Sequence, residues 1–317
     1  MHYLESLVDL GPKAVPAISA FLRERLDREF LTTRQSLGLQ ATPFSRAEQL
    51  RRGITNPLPR PNLNHVSPPS LRLGCFTVLL QLGGPKAEQA LLEVLVDTAS
   101  GAEIAWLDEI LERLNPVAHR AKVLAAAHEI LRKPAPLDHA SLLNRQSRRY
   151  LIAVLIRHRD LDLMRHFQTH LIDAEGHLDP LAFRYLLDVQ GAGGLSTLID
   201  LCRNRLKHPD EKRVVRDRLL RFTGTDPAVD TFFKETLQAA LKQQNGQANR
   251  DVGRILMSLN FSPTPGRRLS DSPSLIRQRL KLIEWAAQQI QHPHNLARLR
   301  SAETTLKRNL EPPKENP

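Results

Sequence analysis

The stretch HRDLDLMRHFQTH, residues 158–170, concentrates the side chains best suited to chemistry in this chain. On a continuous helix, Asp162, His166 and His170 stand at i, i+4 and i+8 and share one face, and a histidine pair at i, i+4 is a spacing that zinc accepts. A hydrolytic zinc helix would carry a glutamate beside the first histidine, and a structural site would show a fourth ligand nearby. Neither is present, so the three residues read as solvated surface groups and no metal site is assigned. His158-Arg159-Asp160-Leu161 echoes a kinase catalytic loop. Arg165 stands where the metal-binding Asn belongs, and no Gly-rich loop or Asp-Phe-Gly accompanies it. That reading fails.

Other catalytic patterns are weaker still. The sequence contains no G-x-S-x-G, no phosphate-binding G-x-x-x-x-G-K-[ST] and no G-x-G-x-x-G. QGAGGLS, 190–196, precedes a helix, but PLAFRYLLDV before it reads as helix rather than strand, so an ordinary hairpin turn is expected. Cys75 and Cys202 sit alone in apolar stretches and read as small buried hydrophobes. HPHN, 292–295, reads as a turn and helix start. No catalytic residue, cofactor or metal is expected, and the chain is read as a non-enzyme.

Charge gives the one sharper signal. With 45 Lys and Arg against 34 Asp and Glu, the net charge is +11, a field that attracts acidic partners or polyanions. The stretch RNRLKHPDEKRVVRDRLLRF, 203–222, is its densest part. Val215, Leu219 and Phe222 are expected to face the core, leaving Lys212, Arg213 and Arg216 toward water, with Arg203, Arg205 and Lys207 closing the preceding helix. Lys and Arg in a last helical turn also complement the helix dipole. A second cluster comprises Arg267, Arg268, Arg277, Arg279 and Lys281. The two clusters are the candidate surface for a polyanion or a protein partner. Aromatic residues for base stacking are scarce there. Trp106 and Trp285 are expected to pack at helix interfaces.

The elements that must position these residues are helical. Aromatic content is 5%, so burial rests on Leu, Ala, Ile and Val, the residues of closely packed helices. The longest apolar run, LIAVLI at 151–156, falls far short of the roughly 18 residues of a membrane span. No secretory segment follows Met1. A cytoplasmic location is expected if Met1 is the native start, and a periplasmic one if a signal precedes it.

Six dipeptides punctuate the chain as helix starts: Gly11-Pro12, Gly84-Pro85, Asn115-Pro116, Asp179-Pro180, Asp226-Pro227 and Ser272-Pro273. Proline suits the first helical position, and Asn, Asp or Ser before it can cap the free amides. After Ser272, Ile276, Leu280, Ile283, Ala287 and Ile290 form one face; after Asp226, Val229, Phe233, Leu237 and Leu241 do so. No strand is expected. Turns recur at intervals of roughly 31 to 45 residues, the size of a helix pair. Residues 32–70 interrupt this rhythm as a Pro-rich insertion with at most one short helix at 45–52, and 310–317 reads as a disordered tail.

LVDLGPKAVPAISAFL, 7–22, is repeated nearly verbatim as LLQLGGPKAEQALLEVL, 79–95. Gly ends one helix and Pro starts the next, so each copy marks the turn of a hairpin too thin to bury its own apolar face. These residues resemble the inter-helix turn and second helix of bacterial HEAT-like repeats, clearest over 1–30 and 71–131. Repetition and resemblance together lead to an all-α, right-handed α-solenoid of about seven to eight antiparallel hairpins, with a first hairpin at 1–31 and an array over 71–309. The resemblance implies a non-catalytic scaffold that holds a protein partner, acidic by the sign of the field, on a concave face. The alternative is a nucleic-acid-binding HEAT-like protein of DNA-repair glycosylase type.

Overall fold

The computed structural model describes residues 2–30, 44–63, 67–133, 141–243, 246–263 and 268–310. Those residues are all-helical, with 17 α-helices and no strand among them. In chain order the first ten are α1 (His2–Asp9), α2 (Val15–Arg23), α3 (Arg46–Thr55), α4 (Leu71–Leu82), α5 (Gly84–Asp97), α6 (Gly101–Leu114), α7 (Arg120–Arg132), α8 (Leu142–Arg145), α9 (Ser147–His158) and α10 (Met164–Thr169). The remaining seven are α11 (Pro180–Gln190), α12 (Leu195–Asp200), α13 (Pro209–Leu219), α14 (Pro227–Lys242), α15 (Gly246–Ser258), α16 (Pro273–Gln289) and α17 (Pro293–Leu310). They fall into two compact units: residues 1–45 with 55–166, and residues 46–54 with 167–317.

In the first unit the repeated motif folds the same way twice. Gly11, Gly83 and Gly84 all adopt positive φ, between 62° and 78°, the left-handed half of backbone space where glycine avoids the Cβ penalty. Pro12 opens a short 3-10 turn before α2, and Pro85 stands in the first turn of α5. Ala14 at the end of that 3-10 turn and Ile18 and Leu22 on α2 are buried, as are their counterparts Ala87, Leu91 and Leu95 on α5. Packing then links like with like: α1 lies on α4, α4 on α6 and α6 on α9, while α2 lies on α5 and α5 on α7.

Two helices depart from a one-sided apolar stripe. Arg72–Leu79 on α4 and Gly101–Asp108 on α6 are each buried at eight consecutive positions. A helix buried all round lies inside the packing rather than at its surface. Part of the cover on α4 comes from 67–70, since a Cβ on Gly74 would sit 3.0 Å from Pro68 Cγ. Gly101 permits a closer crossing: a Cβ there would stand 2.5 Å from Ser147 O, and its N–H donates to Ser147 Oγ.

The second unit repeats the alternation. Helices α11/α12, α14/α15 and α16/α17 pack as neighbours in sequence, and α12 packs on α14, α13 on α15, α14 on α16 and α15 on α17. Asp179 and Asp226 cap α11 and α14 through their side chains, each followed by proline. Asn115-Pro116 behaves differently from the expectation: 115–119 is a turn with Val117 at φ 68°, and α7 begins at Arg120. Within 32–70, α3 buries Leu50 and Ile54 and belongs to the second unit, so part of the insertion is packed helix. The tail 311–317 lies outside the described residues.

Candidate functional site

The histidines of 158–170 are organised by the end of α9 rather than by one long helix. Arg159 takes the left-handed conformation (φ 50°, ψ 42°) and stops α9 at His158. Asp162 therefore lies in a turn, His166 on α10 and His170 just past its end, so the i, i+4, i+8 face does not form. The break sends two adjacent groups to two different helices. His158 Nε2 meets Asp108 Oδ1 of α6 at 2.6 Å, and Asp160 Oδ2 meets His128 Nε2 of α7 at 2.5 Å. All four residues are buried.

Around these pairs, Arg157 reaches Asp108 at 3.2 Å and Glu109 at 2.6 Å. Arg120 of α7 donates to the His158 carbonyl, and Asp160 N–H donates to Leu155 O at 3.0 Å. Asp162 N–H donates to Asp160 Oδ1 at 3.3 Å, which leaves Oδ2 turned to His128. One ligand atom from each of His128, Asp160 and Asp162 lies within 4.8 Å of the others; the first two residues are buried and Asp162 is exposed. These are the residues that could hold a metal ion. Nearby, the His119 ring bonds Glu88 and holds that carboxyl below the usual carboxylate range.

The predicted basic surface is placed in the second unit, and acids neutralise much of it. Arg203 pairs with Glu235 of α14 and lies 5.5 Å over the Phe232 ring. Lys212 Nζ donates to Arg203 O at 2.8 Å, Arg213 stands 3.5 Å from Asp210, and Arg216 meets Asp217 at 3.0 Å and Asp251 at 3.6 Å. Lys212, Arg213 and Arg216 are all half-buried rather than free in solvent. Val215 and Leu219 face the core as expected, whereas Phe222 is only half-buried, beneath Arg218 at 5.8 Å. Arg205 and Lys207 are exposed.

In the second cluster Arg268, Arg277 and Lys281 are exposed, and Arg267 lies outside the described residues. Helix α14 packs on both α12 and α16 and sets Glu235 against Arg203 of the first cluster. Arg279 does not belong to a surface cluster at all. It is 0% exposed and donates to the carbonyls of Thr223 (2.8 Å), Phe261 (2.9 Å), Arg221 (2.5 Å) and Leu259. Burial pulls its guanidinium down to about 10.

Three arrangements escaped the sequence reading because their partners are distant in the chain. Arg279 is one. Arg72 with Glu103 is another, buried between α4 and α6. Glu211 is the third: its carboxylate accepts from Arg46 Nε (3.2 Å), His177 Nδ1 (2.9 Å) and Leu178 N (2.8 Å), and His177 stacks on His208 at 4.0 Å. The aromatics lie as expected: Trp106 is buried edge-on to Tyr150, and Trp285 is half-buried with Lys234 5.5 Å from its ring.

In the first unit, α2 and α5 leave an open groove of about 390 Å³ lined among others by Val15, Pro16, Lys86, Gln89 and the ion pair of Arg23 with Glu93 at 2.9 Å. No helix among the described residues is long and apolar enough to cross a membrane. The chain matches no protein-family model, no curated protein and no solved structure.

Proposed function

We propose that the chain is a non-catalytic, HEAT-like helical-repeat scaffold that holds a protein partner on the exposed side of its second helices. The observation that carries this reading is the stacking of like on like, α1–α4–α6–α9 beside α2–α5–α7, built from two copies of one turn motif. Units of this kind share a core only with their neighbours, which is the logic of a right-handed solenoid. Because α4 and α6 are buried along most of their length, α2, α5 and α7 form the exposed row beside them. The α2/α5 groove, with Pro16 of α2, Pro85 of α5 and Lys86 on its rim, offers apolar contact and a positive charge to an acidic partner.

The test is affinity capture from cell extract with wild type and with Lys86→Glu/Gln89→Ala, followed by reconstitution with the purified captured protein. Direct binding that the double variant weakens at least tenfold supports the reading. Indistinguishable capture and binding by both proteins sinks it.

A second reading, nucleic-acid binding, draws on the exposed Arg205, Lys207, Arg277 and Lys281 of α12–α16 and on the overall charge. Phosphate contacts release counterions, so affinity for a random DNA duplex would fall steeply with added salt. Absence of duplex binding at low salt removes this alternative.

A further inference from the structure

We infer that His128, Asp160 and Asp162 form a binding site for a divalent cation of the zinc type. The site takes one imidazole from α7 and two carboxylates from the turn that follows α9. This is independent of the partner-binding reading. The donor set selects the ion class: one nitrogen and two carboxylate oxygens suit zinc, cobalt or nickel, whereas calcium takes six to eight oxygen ligands and magnesium demands an octahedron of them. Three protein ligands with the third at the surface is the pattern of an open site, in which water completes the coordination.

Geometry supports it at each position. Two ligands of a tetrahedral zinc ion stand about 3.3 Å apart, given bonds of about 2.0–2.1 Å. The 2.5 Å between His128 Nε2 and Asp160 Oδ2 therefore needs to open by less than about an ångström, and Asp162 already lies within 4.8 Å. The turn is held from outside by groups that do not ligate. Asp108 holds His158, Arg120 holds the His158 carbonyl, and Leu155 O holds the Asp160 amide. Such outer support orients ligands before the ion arrives. The carboxylate of Asp162 has no hydrogen bond or ion pair among the described residues, although the chain carries a net charge of +11. A divalent cation supplies the charge that the two carboxylates share.

The experiment uses the full chain, stripped with a chelator and dialysed, then titrated with zinc by calorimetry and with cobalt by visible absorption. The expected result is one equivalent bound per chain, with the intense cobalt absorption of a low-coordinate site and a rise in Tm on zinc addition. Magnesium and calcium give no such rise. Asp162→Asn, a change at an exposed position, abolishes the one-equivalent step and the Tm rise while leaving the apo protein's circular dichroism unchanged. His170→Gln, the surface control, retains both. Absence of stoichiometric uptake by the wild type, or uptake that survives Asp162→Asn, overturns the assignment.

Discussion

Arg72 and Glu103 face each other across α4 and α6 with Nε–Oε1 at 2.7 Å, their side chains 6% and 12% exposed. The remaining guanidinium donor goes to Leu22 O at 2.7 Å, the last buried position of α2, and Thr98 Oγ1 donates to the second carboxylate oxygen at 2.7 Å. One ion pair therefore fastens three helices of the first unit. Removing a single partner of a buried pair strands the other charge, at a cost of about 3–5 kcal/mol. Glu103→Gln should show that loss in urea denaturation, and Arg72→Met with Glu103→Leu should recover a large part of it. A double variant no better than the single would contradict the account.

Arg279 is predicted to be a structural residue and not a contact for partners. Its fork serves four carbonyls, and hydrogen bonds from a charged donor contribute about 1.5–3 kcal/mol each. Lysine brings one compact ammonium in place of the planar fork. Arg279→Lys should lower stability by at least about 2 kcal/mol, read from the urea midpoint. Lys281→Glu, on the exposed side of the same helix, should leave the midpoint nearly unchanged.

Burial pushes the Cys75 thiol up to about 12 and the Cys202 thiol up to about 11 from an ordinary 9.0. The folded chain thus holds these protons more tightly than the unfolded one. Their contribution to stability is complete below pH 9 and is lost progressively as pH climbs toward 11 and 12. Unfolding midpoints at pH 8 and pH 10.5 should fall further for the wild type than for Cys75→Ala/Cys202→Ala. At pH 8 the native protein should also resist an aromatic disulfide reagent until denaturant is added, and immediate reaction of both thiols would refute the burial argument.

Gly101→Ala should destabilise although alanine is the better helix former. The new methyl would stand 2.5 Å from Ser147 O, on a backbone that cannot step aside. Overpacking of this kind costs about 1–3 kcal/mol.

The hairpin turns were legible because Gly and Pro act locally. Leu-Gly-Pro-Lys-Ala requires a positive φ followed by a first-turn proline, and the chain delivers both at 11–12 and 84–85. The basic cluster was legible as charge but not as surface, since Glu235 and Asp251 come from helices that sequence spacing does not bring near. Periodicity placed one face in part. On and just after α16, Ile276, Ile283 and Ile290 are buried as the apolar pattern predicts, whereas Leu280 is half-buried, Ala287 is exposed and Arg279 is buried. A charged residue at the centre of that face reads as solvent until its carbonyl partners are known. The grouping of Asp162 with His128 was hidden by a single left-handed residue, Arg159, which turns an expected continuous helix into two.

The carbonyls of Arg221 and Thr223 receive their donor from a residue 58 and 56 positions later, and those of Leu259 and Phe261 from one 20 and 18 positions later. As the polypeptide leaves the ribosome, these four oxygen atoms are left to water until Arg279 emerges. A nascent product cut short before α16 would lack the one side chain that draws the two segments together.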